Sequence, residues 1–299
     1  MLPRNFSRSH LADLGLLYIA AIWGSTFFVV KDSLAYVDPV VLVAYRFVLA
    51  TLLMAGYMLY RRKPWFSNFK AGGLLGLLLW LCYVAQTIGL KFTTAANSGF
   101  ITGLFVAFVP VLALALFREL PSPSKIAAVF VSMTGLWFLT GGLTKINTGD
   151  LLTMITAVAF AAYILVADRY AKANLDLYIL SFQQFLTVAG LSVSVALVFG
   201  LPFTVASTGT MGVILFLTLF PTLSAFVIQL VAQKFITPVK VSLILAAEPI
   251  FAALFAWSWG GEAFVLRQAM GGLLVVLAII VAEIPIRPWR RLARVTGQV

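Results

Sequence analysis

LYILSFQQFLTVAGLSVSVALVFG, residues 177–200, contains no formally charged residue, and it opens an uncharged stretch that extends from Asp176 to Lys234. A transmembrane helix needs about 20 consecutive apolar residues, so this stretch is long enough for two. Residues 200–203 (GLPF) and 207–210 (STGT) interrupt it with turn-forming residues. Strands of transmembrane β-barrels are short segments of about ten residues with alternating polarity, unlike this stretch. It therefore predicts two membrane-spanning α-helices joined by a loop.

The chain of 299 residues is apolar and poor in charge along its whole length. Hydrophobic residues make up 62% of it and charged residues 10%, whereas soluble domains carry about 25% charged residues. Residues 71–90 and 92–117 are further uncharged runs. We therefore predict an all-α membrane protein with ten transmembrane helices, which span residues 11–31, 39–60, 70–90, 97–117, 126–143, 151–170, 178–199, 211–233, 240–259 and 267–285.

The distribution of basic residues predicts how these helices are oriented. Ten spans place both termini on one side, and most of the 21 Lys and Arg residues fall in loops on that side. The opposite side carries Lys31, Lys91, Lys145 and Arg267. Because cytoplasmic loops are enriched in Lys and Arg, we predict a bacterial inner (plasma) membrane protein with both termini in the cytoplasm. The net charge of +11 then reflects these loops and not a nucleic-acid partner.

Residue types that carry metal, disulfide or nucleotide chemistry are scarce. His10 and Cys82 are the single histidine and the single cysteine, so a metal site of the His/Cys type and a disulfide framework are excluded. No cofactor is predicted. The sequence lacks the phosphate-binding loop GxxxxGK followed by Ser or Thr, which argues against ATP-driven transport within this chain. Residues 14–30 are too long for the apolar region of a cleaved signal peptide, so they are predicted to remain as the first span.

The two halves of the chain are weakly similar. A shift of 138 residues aligns Arg46 with Gln184, and a shift of 143 residues aligns Glu119 with Glu262. Each half holds five predicted spans, an odd number, so the second half must enter the membrane from the opposite side. Inverted repeats of this kind build many secondary transporters, and chance similarity between apolar segments is the alternative. We predict a first five-helix repeat at residues 11–143, a second at 150–285 and a basic cytoplasmic tail at 286–299.

Several short motifs are similar to those of one transporter family. They are Ile22-Trp-Gly-Ser-Thr-Phe, Pro39 followed by Tyr45-Arg46-Phe, Ala157-Val-Ala-Phe-Ala-Ala-Tyr163, Glu248-Pro249 and Gly260-Gly-Glu262. With these motifs in register on ten spans, the chain resembles the EamA-type drug/metabolite transporter superfamily over roughly residues 11–285. Within that superfamily it looks most like the bacterial branch that exports amino acids, aromatic ones in particular. The resemblance implies two inverted five-helix repeats around a central cavity, which work by alternating access.

Two charged residues lie within predicted spans, where a charge at the bilayer centre costs roughly 3 kcal/mol or more. Arg46 is either a fork that receives a solute carboxylate or a structural clamp, with its side chain directed to the interface or to a neighbouring helix. Glu248 precedes Pro249, whose ring removes an intrahelical hydrogen bond. It either binds a solute ammonium or a proton during transport, or it satisfies backbone groups that the proline releases.

Uncharged polar and aromatic residues in the spans complete the predicted solute-binding site. Polar side chains at membrane depth face other helices or water, so they indicate a cavity, and bonding between helices is their alternative role. Trp80, Tyr83 and Gln86 are spaced by three on one span and are predicted to share a face. That face is either a wall of the solute cavity or a packing surface. The remaining predicted solute-binding residues are Trp23, Asn97, Tyr163 and Gln184.

These features predict a secondary transporter that exports small organic solutes, amino acids with apolar or aromatic side chains, by alternating access. The alternative is an integral-membrane enzyme or lipid flippase, whose cavity should contain more charged residues. A channel would show rings of like charge or a filter loop, and the sequence has neither. The expected partners are a small-molecule solute and the lipid bilayer, without nucleic acid. The protein is predicted to be a monomer or a weak homo-oligomer.

The charge distribution predicts that Lys70 and Lys125 face the cytoplasm and that Lys145 and Arg267 face the periplasm. Cysteines placed at positions 145 and 267 are expected to react with a membrane-impermeant thiol reagent added to intact cells, because only the outer side is accessible to it. Labelling of cysteines at positions 70 or 125 under the same conditions would contradict the orientation.

Overall fold

The computed structural model describes residues 4–119, 121–141, 146–258 and 263–284, and the regular structure in these residues is helical throughout. Glu262, Lys145 and the predicted tail at residues 286–299 lie outside the described residues. The helices are α1 (Arg4–Ser33), α2 (Pro39–Tyr60), α3 (Phe69–Gly89), α4 (Ala95–Gly103), α5 (Phe105–Phe117), α6 (Pro123–Thr140), α7 (Thr148–Lys172), α8 (Leu177–Val198), α9 (Thr208–Thr218), α10 (Ala225–Gln233), α11 (Pro238–Leu245), α12 (Glu248–Ser258) and α13 (Leu266–Glu283).

Length and composition identify membrane-spanning helices among these elements. In the described part of the chain, eight helical segments are long and apolar enough to cross a bilayer, and α6 and α13 are shorter apolar helices. The predicted all-α membrane protein is therefore confirmed. The count of ten spans stays a prediction, because it requires α6 and α13 to cross as well.

Three of the spanning segments are interrupted along their length, two by a break between helices and one by a π-helical turn. The segment 97–117 is divided between α4 and α5 at Leu104, and the segment 238–255 is divided between α11 and α12 at Ala246 and Ala247. Between α9 and α10 lies a π-helical turn, Leu219–Ser224, which contains Pro221. These interruptions matter for the site, because residues of α12 and of the π-helical turn hold its charged side chains.

Two pairs among the longer helices have equal lengths. The helices α2 and α8 have 22 residues each, and α6 and α13 have 18 residues each. An aspartate caps the start of both members of the first pair. Asp38 accepts a hydrogen bond from the backbone N–H of Val40 at 2.8 Å, and Asp176 accepts one from Tyr178 at 2.9 Å. The shift that aligns Arg46 with Gln184 also aligns Asp38 with Asp176.

The two helices of each of these pairs also pack against each other in antiparallel fashion. Along α2 and α8, the rings of Tyr57 and Tyr178 lie 5.1 Å apart and those of Phe47 and Phe185 lie 5.8 Å apart, so the residue number rises along one helix as it falls along the other. Between α6 and α13, Gly271 lies against the backbone of residue 139 and Gly135 lies against the backbone of residue 275, again in antiparallel order. Small residues permit such close approach of membrane helices.

Gly72 and Gly76 serve the packing role that their four-residue spacing predicts. They bring α3 against α8. A Cβ atom added at Gly76 would lie 2.4 Å from the Cβ of Thr187, and one added at Gly72 would lie 2.4 Å from the Cβ of Gln183. The helix α3 is thereby packed against α8, and its end at Gly89 lies against the backbone of Gly149 at the start of α7.

Three ion pairs in the described part of the chain join the first half to the second, and all lie at the face where α1 begins and α13 ends, called here the terminal face. Lys240 contacts Asp13 at 2.8 Å, and Arg169 contacts Glu119 at 2.6 Å. The third pair joins Lys63 to Asp176. The opposite face, where α1 ends and α2 begins, is called the far face.

The ion pair of Lys63 with Asp176 persists at neutral pH. Burial alone raises the pKa of the Asp176 carboxyl, but hydrogen bonds from Lys63 and from the backbone N–H groups of Ile179 and Tyr178 outweigh it and hold the pKa below its usual value. The carboxylate therefore stays ionised and keeps its contact with Lys63 across the two halves.

Candidate functional site

A cavity of about 60 Å³ lies among α1, α2, α3, α4, α7, α10 and α12. Its wall reaches Val30 and Leu90, which lie close to the far-face ends of α1 and α3. The cavity therefore lies in the half of the protein near the far face. Its lining consists of Trp23, Thr26, Phe27, Val30, Arg46, Cys82, Tyr83, Gln86, Thr87, Leu90, Thr102, Phe160, Phe226 and Glu248.

Arg46 contributes the positive charge of the cavity and is only 4% exposed. Its Nε and Nη2 groups donate hydrogen bonds to Oγ1 of Thr222, at 3.2 and 2.9 Å. Its guanidinium carbon lies 4.9 Å from the ring centroid of Tyr83, in cation–π geometry. None of the ion pairs in the described residues includes Arg46.

The π-helical turn at Pro221 explains how Thr222 reaches Arg46. Proline has no backbone N–H and its ring clashes with the carbonyl four residues earlier, which here belongs to Leu217. The chain widens into the π-helical turn at this point, and Oγ1 of Thr222 donates to the carbonyl of Leu217 at 2.7 Å. The carbonyl of Pro221 in turn accepts a hydrogen bond from Nε1 of Trp23 at 2.8 Å. One proline thus orients two residues of the cavity wall.

Glu248 contributes the negative charge. It begins α12, directly after the break that follows α11, and is 7% exposed. No ion pair in the described part of the chain includes it. Gly24 of α1 sets its position, because a Cβ atom there would lie 2.5 Å from the backbone oxygen of Glu248. The glycine of the motif in the first span therefore allows α1 to contact α12 beside the acidic residue.

Aromatic rings form the side of the cavity that faces the terminal face. Trp23 contacts the rings of Phe160 and Phe226, each at a centroid distance of 5.5 Å. Phe226 also contacts Tyr83 at 5.8 Å and Tyr163 at 5.7 Å. These rings separate the cavity from the buried residues nearer the terminal face.

Of the residues that the sequence predicts for binding, the cavity brings together Trp23, Arg46, Tyr83, Gln86 and Glu248. Gln86 donates from Nε2 to Oγ1 of Thr102 at 2.9 Å. This bond links α3 to α4 across the cavity wall.

The other four predicted residues lie outside the lining. Tyr163 is fully buried behind the aromatic rings and donates a hydrogen bond to Oε1 of Gln184 at 2.9 Å. Trp80 is half-buried one turn before Tyr83, and Asn97 lies in the first turn of α4, with its backbone N–H bonded to Thr94 Oγ1. Their positions suit contacts between helices more than contact with a solute in this cavity.

Sequence reasoning missed several wall residues. Thr26, Thr87 and Thr102 are hydroxyl groups in apolar spans, and that polarity was a usable signal. Pro221 and Thr222 are adjacent within the uncharged residues 177–233, where a proline indicates an interrupted helix. The contact of Thr222 with Arg46 joins residues far apart in the sequence, so no local pattern indicates it.

Among the described residues, no cluster of three or more His, Cys, Asp and Glu side chains is arranged to hold a metal ion. The cavity wall itself combines one cation, one carboxyl group, neutral hydroxyl and amide groups, and aromatic rings. Such a wall can bind and orient a small organic molecule by charge and ring contacts.

Comparison with known proteins places the chain in context. The EamA-like transporter family matches residues 10–141 and 147–283. A protein of Archaeoglobus fulgidus described as an uncharacterized transporter is 31% identical over 273 residues, which cover 91% of this chain and 86% of that protein. The uncharacterized transporter YyaM of Bacillus subtilis is 23% identical, over 91% of this chain and 93% of its own length.

The fold also matches a solved structure. A crystal structure described without a functional name superposes with a TM-score of 0.75 at 20% identity, and covers 91% of this chain and 96% of that chain. At this level of identity the likeness concerns the fold alone.

Cys82 offers a test of the cavity, because it is the single cysteine of the chain and lines the wall. A small uncharged thiol reagent is expected to modify it, at a rate far below that of an exposed cysteine because the thiol is 6% exposed in apolar surroundings. Mass spectrometry of the intact protein measures the modification. Filling the cavity with Thr26→Phe should slow it at least severalfold, whereas Thr134→Val, at an exposed threonine on α6, should leave the rate unchanged.

An equal rate in the Thr26→Phe variant would show that the reagent reaches Cys82 by another route. The cavity would then not be the access path that its lining indicates.

Proposed function

Because the chain belongs to the EamA-like transporter family, we propose that it is a secondary transporter that exports zwitterionic amino acids with apolar or aromatic side chains. The family match and the long apolar helices together identify a multi-pass membrane transporter, which favours transport over the alternative of a membrane enzyme or flippase. The observation that carries the finer proposal is that Arg46 and Glu248 share one cavity without an ion-pair partner.

The two charges support a zwitterionic solute. An unpaired charge at membrane depth costs roughly 3 kcal/mol or more, and Arg46 and Glu248 line the same cavity without forming a pair with each other. A solute whose carboxylate meets Arg46 and whose ammonium meets Glu248 compensates both charges at once. A phosphorylated solute would require several basic residues, and Arg46 is the one basic residue in the described lining.

The aromatic part of the wall supports an apolar or aromatic side chain on that solute. Trp23, Tyr83, Phe160 and Phe226 present their rings to the cavity. Contact between rings adds about 0.5–1.5 kcal/mol beyond area burial, which is enough for modest selectivity. A transporter must also release its solute, so contacts of this strength suit the function.

Helix lengths and packing support the inverted repeat. In the proposed repeat, α2 corresponds to α8 and α6 to α13, and each pair is equal in length and packed antiparallel. Phe47 and Phe185 contact each other between α2 and α8. They are 138 residues apart in the sequence, as are Arg46 and Gln184. Equivalent residues that meet between antiparallel helices are what a two-fold axis in the membrane plane produces.

Alternating access is supported by the contrast between the two faces. The cavity extends toward the far face, aromatic rings separate it from the terminal face, and three ion pairs join the two halves at that terminal face. In the proposed orientation, with both termini in the cytoplasm of a bacterial cell, the cavity extends toward the outside. Breaking these pairs and separating the rings would open the cavity to the cytoplasm.

The two opposite charges of the cavity predict a selectivity among solutes that transport assays can measure. In proteoliposomes, phenylalanine should be transported, and phenethylamine and 3-phenylpropionate, each lacking one charged group, should compete weakly. Arg46→Gln is expected to lower phenylalanine transport about tenfold or more, because a hydrogen bond to a charged group contributes roughly 1.5–3 kcal/mol. Glu248→Gln should lower transport of every solute, through the lost ammonium contact or the lost proton site.

Lys70→Gln removes a charge from an exposed site and serves as the control. Transport of phenylalanine at the control rate by Arg46→Gln, at equal expression, would refute the zwitterion proposal.

The aromatic wall predicts a preference among amino acids. Tyr83→Ala is expected to lower transport of phenylalanine relative to threonine by about two- to tenfold, the range that ring contacts support. Trp80→Ala is the matched control, because Trp80 lies on the same helix outside the cavity lining. The ratio of the two transport rates is the measured quantity. An unchanged ratio in Tyr83→Ala would assign the ring to packing.

A further inference from the structure

We propose that Thr222 is a positioning residue that fixes which edge of the Arg46 guanidinium meets the carboxylate of the solute. The inference rests on the proposed function, in which Arg46 receives that carboxylate. Oγ1 of Thr222 accepts from both Nε and Nη2 of Arg46, at 3.2 and 2.9 Å. The hydroxyl thus occupies the side edge of the guanidinium plane, and the end edge, formed by Nη1 and Nη2, is the one that a carboxylate engages with two parallel bonds.

The hydroxyl of Thr222 is itself fixed. Its proton is donated to the carbonyl of Leu217 at 2.7 Å, so toward Arg46 it acts as an acceptor. Thr222 is fully buried and belongs to the π-helical turn that contains Pro221. Its position therefore depends on the backbone of that turn.

Tyr83 restrains the guanidinium from a second direction. Its ring centroid lies 4.9 Å from the guanidinium carbon, so Thr222 holds an edge of the group while the group lies over the ring of Tyr83. Without Thr222, two N–H groups of a buried Arg46 lose their acceptor, and the side chain turns to find another. Recognition of the carboxylate then weakens, and recognition of the ammonium by Glu248 is left in place.

Thr222→Val tests this, because valine has nearly the shape of threonine and lacks the hydroxyl. We expect the KM for phenylalanine in proteoliposomes to rise about tenfold, a change of about 1.4 kcal/mol. Inhibition by 3-phenylpropionate should weaken by a similar factor, whereas inhibition by phenethylamine should stay within twofold of the wild type. Thr222→Ser retains the hydroxyl and should restore all three values.

The matched control is Thr218→Val on α9. Thr218 is also fully buried, and its Oγ1 donates to the carbonyl of Ile214 at 2.8 Å, as Thr222 does to Leu217. It has no hydrogen bond to Arg46 in the structure. Equal effects of Thr218→Val and Thr222→Val on the inhibition by 3-phenylpropionate would overturn the positioning role. Thr222→Ala removes the same hydroxyl with fewer atoms and answers the question if the valine variant does not fold.

A double-mutant comparison separates this inference from the proposed function. In an Arg46→Gln background, Thr222→Val should cause no further loss, because its effect passes through Arg46. If Arg46→Gln lowers phenylalanine transport and Thr222→Val alone does not, the positioning role is wrong and the proposed function stands. If Arg46→Gln leaves phenylalanine transport unchanged, both are overturned.

Discussion

The constraint on which the site depends is that backbone polar groups within a membrane must be satisfied by the protein itself. Pro221 breaks a spanning segment at the depth of the cavity and cannot donate a backbone hydrogen bond. The π-helical turn, the indole of Trp23 and the hydroxyl of Thr222 together compensate for it. Because Thr222 also holds Arg46, the same residues that satisfy the broken helix also position the charged side chain of the proposed binding site.

In the described part of the chain, charged side chains form ion pairs at the terminal face, whereas those in the cavity do not. At the terminal face, Asp13, Glu119 and Asp176 each contact a basic residue of the other half. In the cavity, Arg46 and Glu248 have no such partner among the described residues. Burying a charge without a partner destabilises a folded protein, and the proposed zwitterionic solute would supply a partner to both charges.

Sequence patterns predicted the elements of this fold well and the geometry of its site in part. The predicted span at residues 39–60 coincides with α2, which begins at Pro39 directly after the capping residue Asp38. Spacing by three does not keep residues on one face, since a turn of about 100° per residue separates Trp80 from Gln86 by about 120° around α3. This explains why Gln86 lines the cavity and Trp80 does not. Contacts such as that of Thr222 with Arg46 depend on tertiary packing, which a single sequence does not display.

The proposed repeat also shows how a symmetric scaffold can hold an asymmetric site. In that repeat Arg46 of α2 corresponds to Gln184 of α8. Arg46 lines the cavity, whereas Gln184 pairs with Tyr163 behind the aromatic rings. Burying a neutral amide costs less than burying a guanidinium, which requires solvent or an anion. If the two halves exchange roles during transport, Arg46 contacts solvent or solute in one state and is buried away from both in the other. The difference between one arginine and one glutamine would then make the two end states unequal in energy, and the bound carboxylate would decide how unequal they are.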